Sequence, residues 1–167
     1  MSDKIGFFAG SFDPVTKGHV DIIKRASALF DRLYVGILYN KDKQGLFSIE
    51  ERQSMLEESL TDLDNVTIVT AANSLAVDVA RQLKATHLVR GLRGSEDLEH
   101  EARLNFFNHE LAPELETIYL LTRLEMKYIS STHVRELIHF KSDLLGKYVP
   151  ASVVRKVEKK FGKPSNQ

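Results

Sequence analysis

Four short segments of this chain carry residue types that bind phosphate. The first is Gly10-Ser11-Phe12-Asp13-Pro14-Val15-Thr16-Lys17-Gly18-His19. Gly10 and Gly18 allow a backbone to approach a ligand closely. Ser11 offers a hydroxyl, and His19 falls where a helix should begin, beside free N–H groups that favour an anion. The segment lacks the Gly-Lys-Ser/Thr ending of a Walker A loop and the Gly-x-Gly-x-x-Gly dinucleotide fingerprint. The second, Asn40-Lys41-Asp42-Lys43-Gln44-Gly45, carries two lysines that can reach a phosphate as flexible point charges, although a solvated loop would look the same. The third, Arg90-Gly91-Leu92-Arg93-Gly94, sets two arginines around a glycine. Phosphate is one partner for such forks; salt bridges to Glu96, Asp97 or Glu99 are the other. The fourth, Tyr128-Ile129-Ser130-Ser131-Thr132-His133-Val134-Arg135, gathers three hydroxyls at an expected helix start, either as an anion site or as an N-cap.

The elements that must position these segments can be read from hydrophobic spacing. Short apolar runs at Ile5–Ala9, Tyr34–Leu38, Val66–Val69, His87–Val89 and Thr117–Leu121 predict five strands. Helical spacing follows each, beginning at Val20, Ile22, Ile23 and Ala26 after the first. Ser48 and Glu51 fit a capping box for a helix running through Leu60. Further helices are expected from near Ser74, after a capping Ser95 to about His109, from Ser130 or Ser131 to Ile138, and from Pro150 to Gly162. Such alternation predicts an α/β, Rossmann-like fold with about five parallel strands and helices on both faces. Ligands of such sheets bind beyond the carboxyl ends of the strands, where all four segments fall.

Composition narrows the function. The 167 residues hold 23 Lys plus Arg against 23 Asp plus Glu, which argues against a broad nucleic-acid-binding surface. A balanced total still allows one locally positive crevice, because the arginines and Lys43 fall at strand ends and the acids largely on helices. With no cysteine there are no disulfides, thiolate zinc sites or cysteine nucleophiles. The longest apolar stretch, Leu33–Tyr39, is far shorter than the roughly 20 residues of a membrane span. Met1–Lys4 shows no leader pattern. A single cytoplasmic domain over residues 1–167 is expected, with residues 163–167 frayed.

The first segment, with Gly-Ser-Phe-Asp-Pro and Thr16-Lys17-Gly18-His19, resembles the nucleotidyltransferase superfamily that carries the T/H-x-G-H motif. Arg90-Gly91-Leu92-Arg93, Glu101 eight residues beyond, and Ile129-Ser130-Ser131-Thr132 make the chain similar to the phosphopantetheine adenylyltransferase family from about Ile5 to Tyr148. That resemblance implies transfer of AMP from ATP to 4'-phosphopantetheine. It implies catalytic roles for His19, Lys43, Arg93 and Ser131. It implies ATP contacts from Gly10, Ser11, Phe12, His19, Gly91, Leu92, Arg93 and Glu101, and from Met126, Lys127, Tyr128, Ile129, Ser130, Ser131 and Thr132. Ser11, Lys43, Ala76 and Arg90 would hold phosphopantetheine. Mg²⁺ would ride on the ATP phosphates without a dedicated protein ligand set, and the assembly would be a homohexamer that binds neither nucleic acid nor membrane. Ser11 stands where many members have threonine, Lys17 where asparagine is common, and Ser142 where glycine is common.

The nearest alternative keeps the reaction and changes the acceptor to nicotinamide or nicotinate mononucleotide. Ser131-Thr132-His133-Val134-Arg135 fits that branch, whereas Asp13, Thr16 and the Arg90/Arg93 pair do not. A cytidylyltransferase and a non-catalytic nucleotide sensor are the other readings. His87 reads as a packing residue; His100, His109 and His139 lack metal-ligand spacing. Phe106-Phe107 reads as core or oligomer contact, and Glu57-Glu58 and Lys159-Lys160 as solvated faces.

Overall fold

The structure is a computed structural model that describes residues 3–164. Of the tail expected to fray, residues 165–167 lie outside the described residues. Five strands, β1 (Ile5–Gly10), β2 (Arg32–Tyr39), β3 (Val66–Ala72), β4 (His87–Leu92) and β5 (Glu116–Leu121), form one parallel sheet in the order β3-β2-β1-β4-β5. The connections carry helices α1 (Lys17–Ser27), α2 (Ile49–Ser59), α3 (Ala76–Gln82) and α4 (Ser95–Leu111). After β5 come a 3₁₀ turn (Leu124–Met126), α5 (Ser131–His139), α6 (Leu145–Tyr148) and α7 (Ala151–Phe161). The α/β, Rossmann-like expectation holds. The chain leaves β1 first toward β2 and later toward β4, so the switch point lies between β1 and β4.

Strand alternation divides the core between the two faces. Phe8, Val35 and Ile37 point to one side, with Ile23 of α1, Met55 and Leu56 of α2, Val134 of α5 and Val153 of α7. Phe7 points to the other, with Val77 and Ala80 of α3, Leu88, Ala112 and Leu115. The Phe7 ring lies over Gly36, where an added Cβ would come within 2.4 Å of it. Glycine there is what lets a phenylalanine lie against the neighbouring strand.

The expected Ser48–Glu51 capping box forms: Ser48 Oγ accepts from Glu51 N–H, and the Glu51 carboxylate accepts from Ser48 N–H. Several expectations need correction. β4 runs through Leu92, so Arg90 and Gly91 are strand residues and not a following loop. Pairing with Tyr119, Leu120 and Leu121 of β5 satisfies that backbone, which the charge and glycine concealed. No side chain caps α4, whose N-cap is Gly94. Pro150 is the N-cap of α7 and so precedes its first turn. Phe106 and Phe107 are not core; both are more than 60% exposed on α4. Glu58 and Lys160 are not merely solvated: they bridge α2 and α7 through Arg155 and Glu51. Among the described residues no helix is long and apolar enough to cross a membrane.

Candidate active site

Two cavities open side by side along the carboxyl edge of the sheet. The first, of about 390 Å³, lies at the switch point and is lined by Gly10, Ser11, His19, Arg90, Arg93 and Ser131 among others. The second, of about 870 Å³, lies beyond β2 and is lined by Asn40, Lys41, Lys43, Arg52 and Arg135. Ser11 lines both, so the residue after β1 is a partition between them.

His19 is fixed by the helix it begins. Thr16 is the N-cap of α1, and its Oγ1 accepts from the His19 backbone N–H. The imidazole returns the contact: Nδ1 accepts the Thr16 backbone N–H at 3.1 Å. This is a capping box with histidine in the position usually held by glutamate or glutamine. An accepting Nδ1 leaves the ring proton on Nε2 in the neutral form. Burial of the ring, and secondarily the positive charge of Arg93, lower the His19 pKa to about 4. Near neutral pH the side chain is therefore an uncharged donor. The edge of Phe12 supports it, with ring centroids 5.0 Å apart. Phe12 is almost fully buried at φ 47°, a left-handed conformation that costs a non-glycine residue about 1–3 kcal/mol and persists only where the surroundings enforce it.

Arg90 and Arg93 each arrive with an acid from α4. The Glu101 carboxylate accepts from Arg90 Nε and Nη2 at 2.7 and 2.6 Å. Asp97 accepts from Arg93 Nε and Nη2 at 2.9 and 3.0 Å, and from its backbone N–H. Asp97 was one of the acids foreseen as a salt-bridge partner; Glu101 was not. In both pairs the carboxylate takes one edge of the guanidinium and leaves Nη1 for a ligand. The crevice at the switch point is thus charge-compensated, contrary to the expectation of a locally positive one. Lys41 and Lys43, in the second cavity, have no carboxylate partner among the described residues.

The fourth segment supplies a cap and a brace. Ser130 is the N-cap of α5, accepting from His133 N–H. The Ser131 hydroxyl donates to the Pro14 carbonyl at 2.9 Å, tying α5 to the loop after β1. Ile129, Ser130 and Ser131 line the first cavity; Met126, Lys127, Tyr128 and Thr132 do not. Tyr128 is 80% exposed, and Thr132 accepts from Arg135. The Leu92 side chain is buried away from the cavity, between Gly91 and Arg93, which line it. Ala76 begins α3, next to Leu75 in a third depression beyond β2 and β3. Lys17, which had no assigned role, donates to the Gly146 carbonyl of α6.

Sequence reasoning missed His100, which lines the first cavity. Asp97, His100 and Glu101 stand at i, i+3 and i+4, so all three lie on one face of α4, and that spacing was available as a signal. It also missed Arg52 and Asp13, which are 39 positions apart and share no local pattern.

Residues 7–137 match the cytidylyltransferase-like family model. The chain is 64% identical to the phosphopantetheine adenylyltransferase of Streptococcus mutans over 96% of both chains. This chain belongs to the phosphopantetheine adenylyltransferase family. Membership makes it a nucleotidyltransferase. Among solved structures it is similar to a Plasmodium falciparum nicotinic acid mononucleotide adenylyltransferase complexed with NaAD, at TM-score 0.69 and 14% identity over 98% of this chain and 99% of that one. It is also similar to a bifunctional NMN adenylyltransferase/ADP ribose pyrophosphatase of Francisella tularensis complexed with AMP and a manganese ion. That match has TM-score 0.68 and 19% identity, over 96% of this chain and 51% of that longer one. At such identities these structures speak for the fold.

Among the described residues no three of His, Asp and Glu cluster as a metal site. The two carboxylates of the first cavity, Asp97 and Glu101, are already committed to arginines.

Proposed function

We propose that this chain transfers the adenylyl group of ATP to 4'-phosphopantetheine, forming dephospho-coenzyme A and releasing pyrophosphate. The observation that carries the reading is Ser11 on the partition between two adjoining cavities, one holding His19, Arg90 and Arg93 and the other Lys43. A reaction that joins two anions needs two adjoining sites that bring the reacting atoms into line.

An oxygen of the acceptor phosphate attacks the α-phosphorus, forming a new P–O bond. The bond from the α-phosphorus to the bridging oxygen breaks, and pyrophosphate leaves with the electron pair. With a second phosphate pKa near 6, the attacking group is already largely ionised at neutral pH, so no general base is required. The enzyme's contribution is alignment and stabilisation of charge.

His19 donates Nε2–H to an α-phosphoryl oxygen as charge grows there. Arg93 and Ser131 face the β- and γ-phosphates. Lys43 and the free edge of Arg90 hold the acceptor phosphate, with Ser11 between the substrates and the Ala76 backbone along the pantetheine arm. Gly10, Phe12, Gly91, Leu92 and Glu101 shape the nucleotide site, Glu101 also by orienting Arg90. Met126 to Thr132 close over the nucleotide. Mg²⁺ enters with ATP as part of the substrate, neutralising the triphosphate; the manganese and AMP of the Francisella tularensis protein support a divalent ion.

The same reading makes residues 1–167 one cytoplasmic catalytic domain that works as a homohexamer. Exposed Leu98, Phe106, Phe107 and Leu111 on α4 offer apolar surface for assembly, which sedimentation would measure. The decisive assay supplies ATP, Mg²⁺ and 4'-phosphopantetheine and follows pyrophosphate, with nicotinamide mononucleotide and CTP as competitors. No release, or preference for either competitor, would sink the reading.

A further inference from the structure

A buried ion pair lies behind the partition, and the chemistry just described does not use it. Asp13 and Arg52 are 7% and 6% exposed, with Arg52 Nη2 3.3 Å from Asp13 Oδ2. Asp13 Oδ1 accepts from Phe47 N–H at 2.9 Å, and Oδ2 from Leu46 N–H at 2.8 Å. Arg52 Nε donates to the Phe47 carbonyl at 2.9 Å and Nη1 to the Ser11 carbonyl at 3.2 Å. Every nitrogen of the guanidinium thus meets a protein oxygen. These contacts join two loops. One carries Ser11; the other, after β2, carries Lys43 and ends at Leu46 and Phe47. Gly45 closes over the pair: a Cβ there would come within 1.6 Å of Arg52 Nη2 and 2.7 Å of Asp13 Oδ2.

A buried ion pair is a poor source of net stability, because desolvation offsets most of the attraction. What a planar fork adds is direction, since its donors fix several oxygens at once. Here those oxygens belong to the loops that carry one residue of the partition and one cation of the second cavity. We propose that Asp13 and Arg52 are positioning residues that set the separation of Ser11 from Lys43, and with it the in-line approach of the acceptor phosphate to the α-phosphorus. The inference rests on the adenylyl-transfer reading and goes beyond it.

Three variants test it. Arg52→Lys keeps the charge and loses the fork. Asp13→Asn keeps the shape and loses the charge. Gly45→Ala pushes on the pair from an exposed loop and removes no buried group, so it keeps the question answerable if the first two fold poorly. Misplacement by about an ångström lowers turnover by up to ~100-fold. The expected result is a fall in kcat of about 10- to 100-fold in folded protein, while the Kd for Mg²⁺ with a non-hydrolysable ATP analogue changes by less than about threefold. Amide exchange at Leu46 and Phe47 should quicken in the same variants.

Quickened exchange with unchanged kcat would overturn the proposal. So would a rise in acceptor KM alone, which would make Arg52 a direct ligand. A parallel loss of ATP affinity, kcat and melting temperature would reduce the pair to general scaffolding. If wild-type protein releases no pyrophosphate from these substrates, the adenylyl-transfer reading itself fails, an outcome distinct from unaffected variants of an active enzyme.

Discussion

The backbone N–H of Thr16 donates to Nδ1 of His19 at 3.1 Å, so a hydrogen bond at the start of α1 also decides which nitrogen of His19 is left to donate. With Nδ1 occupied as an acceptor, Nε2 carries the proton. The donor is made ready by the fold before any substrate arrives.

The protonation of His19 should therefore be unusual and measurable. In nitrogen-detected NMR of the free protein, its ring should be the Nε2–H tautomer at pH 7 and titrate near pH 4. The folded state resists the proton that an unfolded histidine takes up near pH 6.5. The stability this residue contributes is thus complete above about pH 6.5 and falls as pH drops toward 4. In His19→Ala the urea midpoint should depend less on pH across that window. Loss of one preorganised donor should also lower kcat by about 100- to 1,000-fold. A ring that titrates near 6.5, or wild-type turnover in His19→Ala, would refute the assignment.

Thr16→Val keeps the shape of the N-cap and removes Oγ1. Loss of a cap costs about 1 kcal/mol of stability, readable by chemical denaturation. Turnover should fall by more than that stability loss implies, because the first turn that carries the imidazole loses the bond from the His19 backbone N–H to Oγ1. Equal stability with lower kcat would mean that Oγ1 serves only the ring; lower stability with unchanged kcat would mean that it serves only the helix.

Lys43 and Arg93 line different cavities, and their kinetic signatures should separate. Charge-assisted hydrogen bonds are worth about 1.5–3 kcal/mol, or roughly 10- to 150-fold. Lys43→Ala should raise the KM for 4'-phosphopantetheine in that range and leave the KM for ATP within about twofold. Arg93→Ala should do the reverse. Identical effects on both substrates would contradict the division into two sites.

Chelation gives a further test. EDTA should abolish turnover, and added Mg²⁺ should restore it, while the melting temperature of substrate-free protein stays the same. A fall in melting temperature would reveal a metal held by the protein itself.

Much of this was legible in the residues because it is local. Apolar runs marked the five strands, and Ser48 with Glu51 marked the start of α2, since a capping box spans only four positions. Alternation of strand and helix then put the four candidate segments at one sheet edge. The rest depended on distant partners. Arg90 and Gly91 look like loop in the sequence, whereas the ladder to β5 carries β4 on to Leu92. Asp97 is close enough along the chain to be legible as a partner of the arginines, whereas Glu101 lies 11 positions beyond Arg90 and meets it only through the packing of α4 against β4. No spacing could have joined Asp13 to Arg52, because only the adjacency of two loops beyond β1 and β2 brings them together.

The thinness of the partition at Ser11 has a consequence for the end of the proposed reaction. Two substrates arrive as separate molecules, and each binds with only its own contacts. After transfer a single covalent molecule straddles both cavities. Its two halves are now tethered, so each rebinds at the high effective concentration set by the other. The architecture that brings the reactants together thus makes the product a bidentate ligand, and departure of dephospho-coenzyme A becomes a natural brake on the cycle.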